Sequence, residues 1–205
     1  MNLVNIVYKR QTPKITSDPF SDLVISKSDL DKFNPSILNL GNINTPSTSH
    51  EALACFFDLQ GFTDFTNQDS PELIVPPFLI HFLNWLFESF KSQNLSENEG
   101  DEIFIHAPFP FYAKFLGDGL MLLWKVDTNS ILEYTRTNWE QEISGDIGNT
   151  VGILLGITRR YSTELFPKLS TRFIKVPPRL RCGIARGTIY SIGDGNDFVG
   201  PCINK

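Results

Sequence analysis

Two aspartates interrupt apolar stretches of this 205-residue chain. Asp58 follows the run LACFF, and Asp118 lies between two glycines in the stretch KFLGDGLMLLW. If the two strands that carry them are neighbours in one sheet, both carboxylates project from the same edge. Carboxylate oxygens suit Mg²⁺ or Mn²⁺ when a triphosphate supplies the remaining ligands. Two such metals would activate an attacking hydroxyl and stabilise a leaving phosphate, whereas each aspartate alone also suits an ordinary turn.

Gly61, Phe62 and Thr63 follow Asp58 closely. They are predicted to form a turn that opens a helix. Because the first N–H groups of a helix attract anions, this turn is expected to hold phosphate. The stretch FFDLQGFTDF therefore predicts a metal-binding carboxylate followed by phosphate-binding backbone groups.

Four elements are predicted to position these residues. The apolar run LACFF is of strand length. Apolar residues at three- and four-residue spacing from Phe78 predict a helix, with Pro76–Pro77 as its start. The stretch PFYAKFLGDGLMLLWKV predicts two strands joined by a hairpin turn. Residues 129–165 are expected to be helical in two pieces, separated near Gly145 and Gly148.

The remaining stretches complete the predicted fold. RLRCGIARGTIYSIG predicts a second pair of strands, and SQNLSENEGDE predicts an acidic polar loop. The order of strands and helices indicates an α/β or α+β protein with helices packed on a sheet. Residues 1–48 are expected to form a loosely packed arm, with one short helix near SKSDLDKF, and residues 49–205 the folded domain.

The composition argues against several classes of protein. A content of 41% hydrophobic and 20% charged residues is ordinary for a soluble globular protein. The net charge of −5 speaks against nucleic acid or an anionic membrane as a partner. The stretch PPFLIHFLNWLFESF is expected to be too short and too polar to span a bilayer. Without a signal-peptide pattern or a CxxC motif, a cytoplasmic location is expected.

Three stretches resemble motifs of the class III nucleotidyl cyclases, the adenylate and guanylate cyclase family. FFDLQGFTDFT is similar to F-x-D-I-x-G-F-T, KFLGDGLMLLW to K-x-x-G-D, and RLRCGIARGTIYSIGDGNDFVGPCIN to the segment from G-I-x-x-G to D-x-x-G-x-x-x-N. They occur in the family's order. The resemblance implies an α+β fold, the ferredoxin-like cyclase homology domain, in which helices pack on an antiparallel-rich sheet.

The resemblance also implies roles for single residues. Asp58 and Asp118 would hold two Mg²⁺ or Mn²⁺ ions, with the Leu59 carbonyl contributing to the first site. Lys114 and Asp197 would read the base, and this pair resembles the type that selects adenine. Lys114 has a plainer interpretation as a strand residue that keeps its ammonium group in water.

Two residues in the C-terminal part of the chain are further candidates for the site. Asn204 matches the asparagine that orients the ribose, and Arg186 in GIARG is a candidate phosphate contact because arginine prefers such partners. The family carries an arginine four residues beyond the position of Asn204, where this sequence has already ended at Lys205. The C-terminal part of the domain is therefore expected to be missing from the sequence.

The reaction implied by the resemblance is intramolecular phosphoryl transfer. The ribose 3′-hydroxyl attacks the α-phosphorus, pyrophosphate leaves, and a 3′,5′-cyclic nucleotide forms. In the family two subunits of a homodimer share each site, one giving the metal ligands and the other the base- and ribose-binding residues. ATP is the expected substrate. Two alternatives stay open: a pyrimidine cyclase that makes cUMP or cCMP from UTP or CTP in antiphage defence, and a non-catalytic nucleotide-binding relic.

Overall fold

The computed structural model describes residues 9–11, 22–24, 26–32, 34–99, 102–126 and 139–204. The chain divides into two compact units. The smaller unit contains the residues up to Ser49 together with Tyr190–Val199, and the larger unit contains His50–Ile189 and Gly200–Lys205. The division into an arm, residues 1–48, and a catalytic domain, residues 49–205, stays a prediction.

The described strands are β1 (Lys9–Gln11), β2 (Asp22–Val24), β3 (Ser49–Gln60), β4 (Leu95–Glu99), β5 (Glu102–Ile105), β6 (Tyr112–Phe115), β7 (Gly119–Lys125), β8 (Arg179–Ile192) and β9 (Asp197–Val199). The described helices are α1 (Lys27–Asp31), a 3₁₀ helix (Pro35–Leu38), α2 (Phe62–Thr66), α3 (Pro71–Asn94), α4 (Trp139–Arg160), a π-helical turn (Tyr161–Leu165) and α5 (Phe166–Ser170). Helix α1 lies in the stretch SKSDLDKF, where a short helix is predicted.

Strand β3 is the central strand of a five-stranded sheet with the order β6-β7-β3-β8-β9. β3 and β6 each pair with β7 in antiparallel orientation, and β9 pairs with the end of β8 in the same way. Two separate hairpins are formed by β1 with β2 and by β4 with β5. The mixed fold with an antiparallel sheet agrees with the α+β prediction, while the assignment to a ferredoxin-like cyclase domain stays a prediction.

The core of the larger unit lies between this sheet and the long helices. Alternate residues of β3 belong to it, namely Leu53, Cys55, Phe57 and Leu59. Helix α3 contributes Phe78, Phe82, Leu86 and Phe90, and α4 contributes Leu154 and Ile157. The two-residue period of a strand and the three- to four-residue period of a helix each place one apolar face on the same core.

Helix α3 begins five residues earlier than its proline pair indicates. Pro71 occupies the first turn after Ser70, and Pro76 and Pro77 lie inside the helix. The predicted start is therefore wrong. Proline removes a backbone donor, but four buried apolar side chains of α3 anchor the helix on the core. Among the described residues, α3 is a helix whose length and composition would suffice to cross a membrane, so the expectation that this stretch is too short and too polar is wrong by that criterion. Phe78, Phe82 and Phe90 are buried within this unit, whereas Phe87 is exposed.

Helix α4 is continuous across Gly145 and Gly148, so the predicted break at these glycines is wrong. A glycine in a helix costs only about 1 kcal/mol relative to alanine. Burial of Leu154 and Ile157 in the core opposes that cost. Residues 129–138 of the predicted helical stretch lie outside the described residues.

Two predicted features of the strands are also corrected. The acidic loop SQNLSENEGDE contains the end of α3, strand β4 and the start of β5. The charges of this stretch indicate a loop. The isoleucines and phenylalanine of EIFI, the residues of β5, favour a strand instead. The stretch RLRCGIARGTIYSI is one strand, β8, rather than a pair, and its partner at the C-terminal end is β9.

Candidate active site

Asp58 and Asp118 lie beside each other at one end of two neighbouring strands. In the register of β3 with β7, Asp58 is opposite Gly119. The N–H of Leu59 donates to the carbonyl oxygen of Asp118 at 3.1 Å, which extends this pairing to the turn. Both aspartate side chains are half-buried. The arrangement is the one expected if the two strands are neighbours.

The glycines on either side of Asp118 are required by the backbone. Gly117 has φ of 96°, a conformation that residues with a Cβ rarely adopt. A Cβ on Gly119 would collide with the carbonyl oxygen of Phe57 on the adjacent strand. The two strands can therefore approach closely enough to set Asp118 beside Asp58 only with glycine at position 119.

The turn after β3 has the predicted local form. Gly61 has φ of 83° and precedes α2, whose first residues are Phe62 and Thr63. The ring of Phe62 packs near Phe65, with ring centroids 5.9 Å apart, which fixes the short helix on the core. Asp64 adds a negative charge to the first turn. The binding of phosphate by this five-residue helix stays a prediction.

Arg181 on β8 is the residue that the sequence analysis leaves out. Its Nε atom donates to the Oδ2 atom of Asp58, and its Nη2 atom forms an ion pair with the same oxygen. The side chain of Arg181 is 63% exposed and that of Asp58 is 36% exposed. The alternation of RLRCG along a strand predicts that Arg181 leaves the core, but its partner depends on β8 lying next to β3. The carboxylate that is predicted to bind metal is therefore paired with the guanidinium group of Arg181.

The other predicted residues are spread over four places. Lys114 is exposed on β6, the edge strand next to β7, and Arg186 is exposed on β8. The backbone N–H of Asn204 donates to the Gly200 carbonyl at 3.2 Å, closing a turn after β9. Asp197 lies in β9, within the smaller unit, where its carboxylate accepts from the N–H of the next residue at 2.9 Å.

The donor set fits a hard divalent cation. Asp58, Asp118 and the Leu59 carbonyl are all oxygen ligands, which Mg²⁺ and Mn²⁺ prefer. Within the described part of the chain, no group of three or more His, Cys, Asp or Glu side chains gathers closely enough to hold a metal ion. Phosphate oxygens of a substrate would therefore have to complete the coordination.

Comparison with known proteins adds one distant likeness. No protein-family model and no curated protein matches the chain. Among solved structures, the chain is similar to that of the guanylyl cyclase Cya2, with 17% sequence identity and a TM-score of 0.43. The alignment covers 77% of this chain and 68% of that one. A likeness this distant carries no argument, so function is argued below from the residues and their geometry.

Proposed function

We propose that this chain is a nucleotidyl cyclase that converts a nucleoside triphosphate into a 3′,5′-cyclic nucleotide and pyrophosphate. The observation that carries the proposal is the register of β3 with β7, in which Asp58 is opposite Gly119. It sets two carboxylate residues side by side at the end of neighbouring strands. The three cyclase-like stretches of the sequence, in the family's order, support the same reaction.

The two aspartates and Arg181 have complementary parts in this proposal. Asp58, Asp118 and the Leu59 carbonyl would hold two Mg²⁺ or Mn²⁺ ions, which when bound neutralise the triphosphate and lower the pKa of the attacking hydroxyl. The ion pair of Arg181 with Asp58 is exposed, and such pairs contribute about 1 kcal/mol or less. Asp58 can therefore exchange its partner, which leaves the Arg181 guanidinium to bind phosphate oxygens.

Selection of the base is assigned to Lys114 and Asp197, with Asn204 orienting the ribose and Arg186 a further phosphate contact. We propose that these groups act across the interface of a cytoplasmic homodimer, each subunit completing the site of the other. Because Lys114 and Asp197 resemble the pair that selects adenine, ATP is the proposed substrate. A buried donor and acceptor reject a base of the wrong pattern by about 10⁴-fold or more, so the product identifies the base.

A non-catalytic nucleotide-binding protein is the second candidate function. One observation favours it: the Asp58 carboxylate already accepts a hydrogen bond from Arg181. If this pair were permanent, the carboxylate would be unavailable to a metal and the site could bind a nucleotide without turning it over.

The deciding experiment incubates the protein with Mn²⁺ and ATP, GTP, CTP or UTP in separate reactions, and identifies products by chromatography and mass. Cyclic AMP is the expected product. Cyclic CMP or UMP would agree with the proposed metal site but contradict the assignment of adenine. It would favour the alternative of a pyrimidine cyclase in antiphage defence. Absence of a cyclic product from all four reactions, with triphosphate binding retained, would support the non-catalytic alternative.

The variant Asp58→Asn separates metal chemistry from folding in the same assay. It should lower the rate by about 100-fold or more, because a direct ligand should matter at least as much as an outer-shell partner. The matched control is Asp69→Asn, an exposed aspartate eleven residues further along and beyond α2, which should retain the rate. Equal rates for the two variants would contradict the proposed role of Asp58.

A further inference from the structure

A concave site in the larger unit is lined by none of the candidate active-site residues. A cavity of about 570 Å³ opens between α3 and the segment from the π-helical turn to the end of α5. Its lining includes His81, Trp85, Leu165, Lys168, Leu169 and Arg172. Cavities of about 300–1,000 Å³ are typical of sites for small molecules.

The charges that line this cavity are of one sign. Lys168 and Arg172 are exposed cations, and no aspartate or glutamate is among the lining residues. Nη1 of Arg172 lies 3.4 Å from Nε2 of His81, so its near neighbour in the cavity is an imidazole. Glu164 lies within electrostatic reach of Lys168, but it is already bound by Arg160 at 2.8 and 2.9 Å. The cavity therefore favours an anion.

Several other lining residues of the cavity are apolar and held in place. Leu165 and Leu169 are buried beneath it. The indole of Trp85 packs edge-on against the ring of Tyr161, with ring centroids 5.9 Å apart. The Tyr161 hydroxyl donates to the Pro177 carbonyl at 2.6 Å, which fixes that ring. An aromatic side chain held in this way offers a planar surface to a ligand without a large loss of side-chain entropy.

The backbone is also unusual beside the cavity. The N–H of Phe166 donates to the carbonyl of Tyr161, five residues back, so the helix widens into a π-helical turn. Pro167, which has no N–H to continue an α-helix, follows directly. π-Helical turns are rare and are often found at functional sites. Leu165, at the end of this turn, faces the cavity.

We propose that this cavity binds an organic phosphate of mononucleotide size, with its phosphate on Lys168 and Arg172 and its planar base against Trp85. Two cations match the charge of about −2 that a phosphate monoester carries near neutral pH. Stacking of a base on an aromatic side chain contributes about 1–3 kcal/mol. None of the lining residues belongs to the candidate active site, so the proposal does not rest on cyclase activity.

The test is calorimetric titration of the full chain with each of the four nucleoside 5′-monophosphates, with EDTA present to keep divalent metals from the aspartates. At least one nucleotide should bind with one-to-one stoichiometry. The same nucleoside without phosphate, and inorganic phosphate without a nucleoside, should each bind about tenfold more weakly or worse, equivalent to about 1.4 kcal/mol.

Variants locate the binding. The double change Lys168→Ala and Arg172→Ala should weaken nucleotide binding by about tenfold or more, the equivalent of about 1.4 kcal/mol. Arg159→Ala, an exposed arginine of α4, should leave it unchanged. The proposal is overturned if none of the four nucleotides binds, if inorganic phosphate binds as tightly as the nucleotide, or if the double variant binds the nucleotide as tightly as the parent chain.

Discussion

Arg181 donates a hydrogen bond to Asp58 through Nε and forms an ion pair with it through Nη2, so a carboxylate predicted to bind metal already has a cationic neighbour. If the pair serves the site rather than the fold, Arg181→Gln should reduce cyclase activity while changing the free energy of unfolding by less than about 1 kcal/mol, the usual limit for an exposed pair. Urea unfolding and the cyclase assay measure the two effects. Arg179→Gln, two residues earlier on β8, is the control and should alter neither. A large loss of stability in Arg181→Gln would make the pair structural.

Gly119→Ala should destabilise the larger unit. Its new Cβ would collide with the Phe57 carbonyl oxygen on the paired strand, and forced contacts of this kind cost about 1–3 kcal/mol. Gly152→Ala is the matched control, because its Cβ would meet no atom within 4 Å and lies in helix α4. That change should stabilise the protein by up to about 1 kcal/mol. Thermal or urea unfolding gives both values, and equal effects of the two changes would contradict the close approach of the strands.

Tyr161→Phe should destabilise the protein by about 1–3 kcal/mol, because the buried Pro177 carbonyl loses its donor. The same burial raises the pKa of the Tyr161 hydroxyl above its ordinary value. Spectroscopic titration should therefore show that Tyr161 ionises above the ordinary tyrosine value of about 10. Tyr190→Phe is the control for stability and should lie within about 0.5 kcal/mol of the parent chain. A neutral effect of Tyr161→Phe would indicate that water replaces the hydroxyl.

Cys182 should react with iodoacetamide before Cys55. The two Sγ atoms are 3.5 Å apart, and the hydrogen bond from Cys55 lowers the pKa of Cys182. The same bond, together with burial, raises the pKa of Cys55. The rate of modification at Cys182 should rise with pH through a midpoint below the ordinary thiol value of about 8.5. Peptide mass spectrometry reports each rate.

Cys55→Ala provides the check on this interpretation. Removal of the donor should move the midpoint for Cys182 upward, toward the ordinary thiol value. The buried Cys202, whose Sγ donates to the Gly187 carbonyl at 3.6 Å, should stay slow in both proteins. An unchanged midpoint in Cys55→Ala would show that another group stabilises the Cys182 thiolate.

Asp194 should make the smaller unit sensitive to acid. Its carboxylate accepts hydrogen bonds from the Thr45 hydroxyl at 2.6 Å and from the N–H of Asn42 at 2.9 Å, and these bonds lower its pKa. A depressed pKa in the folded state means that the stabilisation is present above the unfolded value of about 3.9 and is lost as pH falls through the folded value. The amide resonance of Asn42 should therefore shift at acidic pH. In Asp194→Asn this titration should vanish.

The sequence predicts well those parts of the site that depend on local pattern. The apolar run before Asp58 and the Gly-Asp-Gly turn are sufficient to predict β3, β6 and β7. Asp58 can lie opposite Gly119 because a glycine at this position lets β7 approach β3 closely. These features are encoded within a few residues of the place where they act.

Features that depend on distant packing could not be predicted in this way. Arg181 meets Asp58 only because β8 is the neighbour of β3, a relation between residues more than one hundred positions apart. Helix α3 begins before Pro76 and Pro77, which are predicted to mark its start, because its buried phenylalanines outweigh the local effect of the two prolines. The cavity beside Trp85 depends on a π-helical turn, and the sequence around it carries no pattern beyond Pro167 that indicates one.

The hairpin turn has a consequence for how related proteins should diverge. Gly117 and Gly119 are held by backbone geometry, whereas Asp118 between them has no such constraint. Selection for folding alone would therefore preserve both glycines and let the aspartate drift. If the proposed function is right, a lineage that abandons metal chemistry should keep the glycines around a changed middle residue. Under that proposal, retention of Asp118 between them would be the evolutionary signature of activity, and retention of the glycines would not.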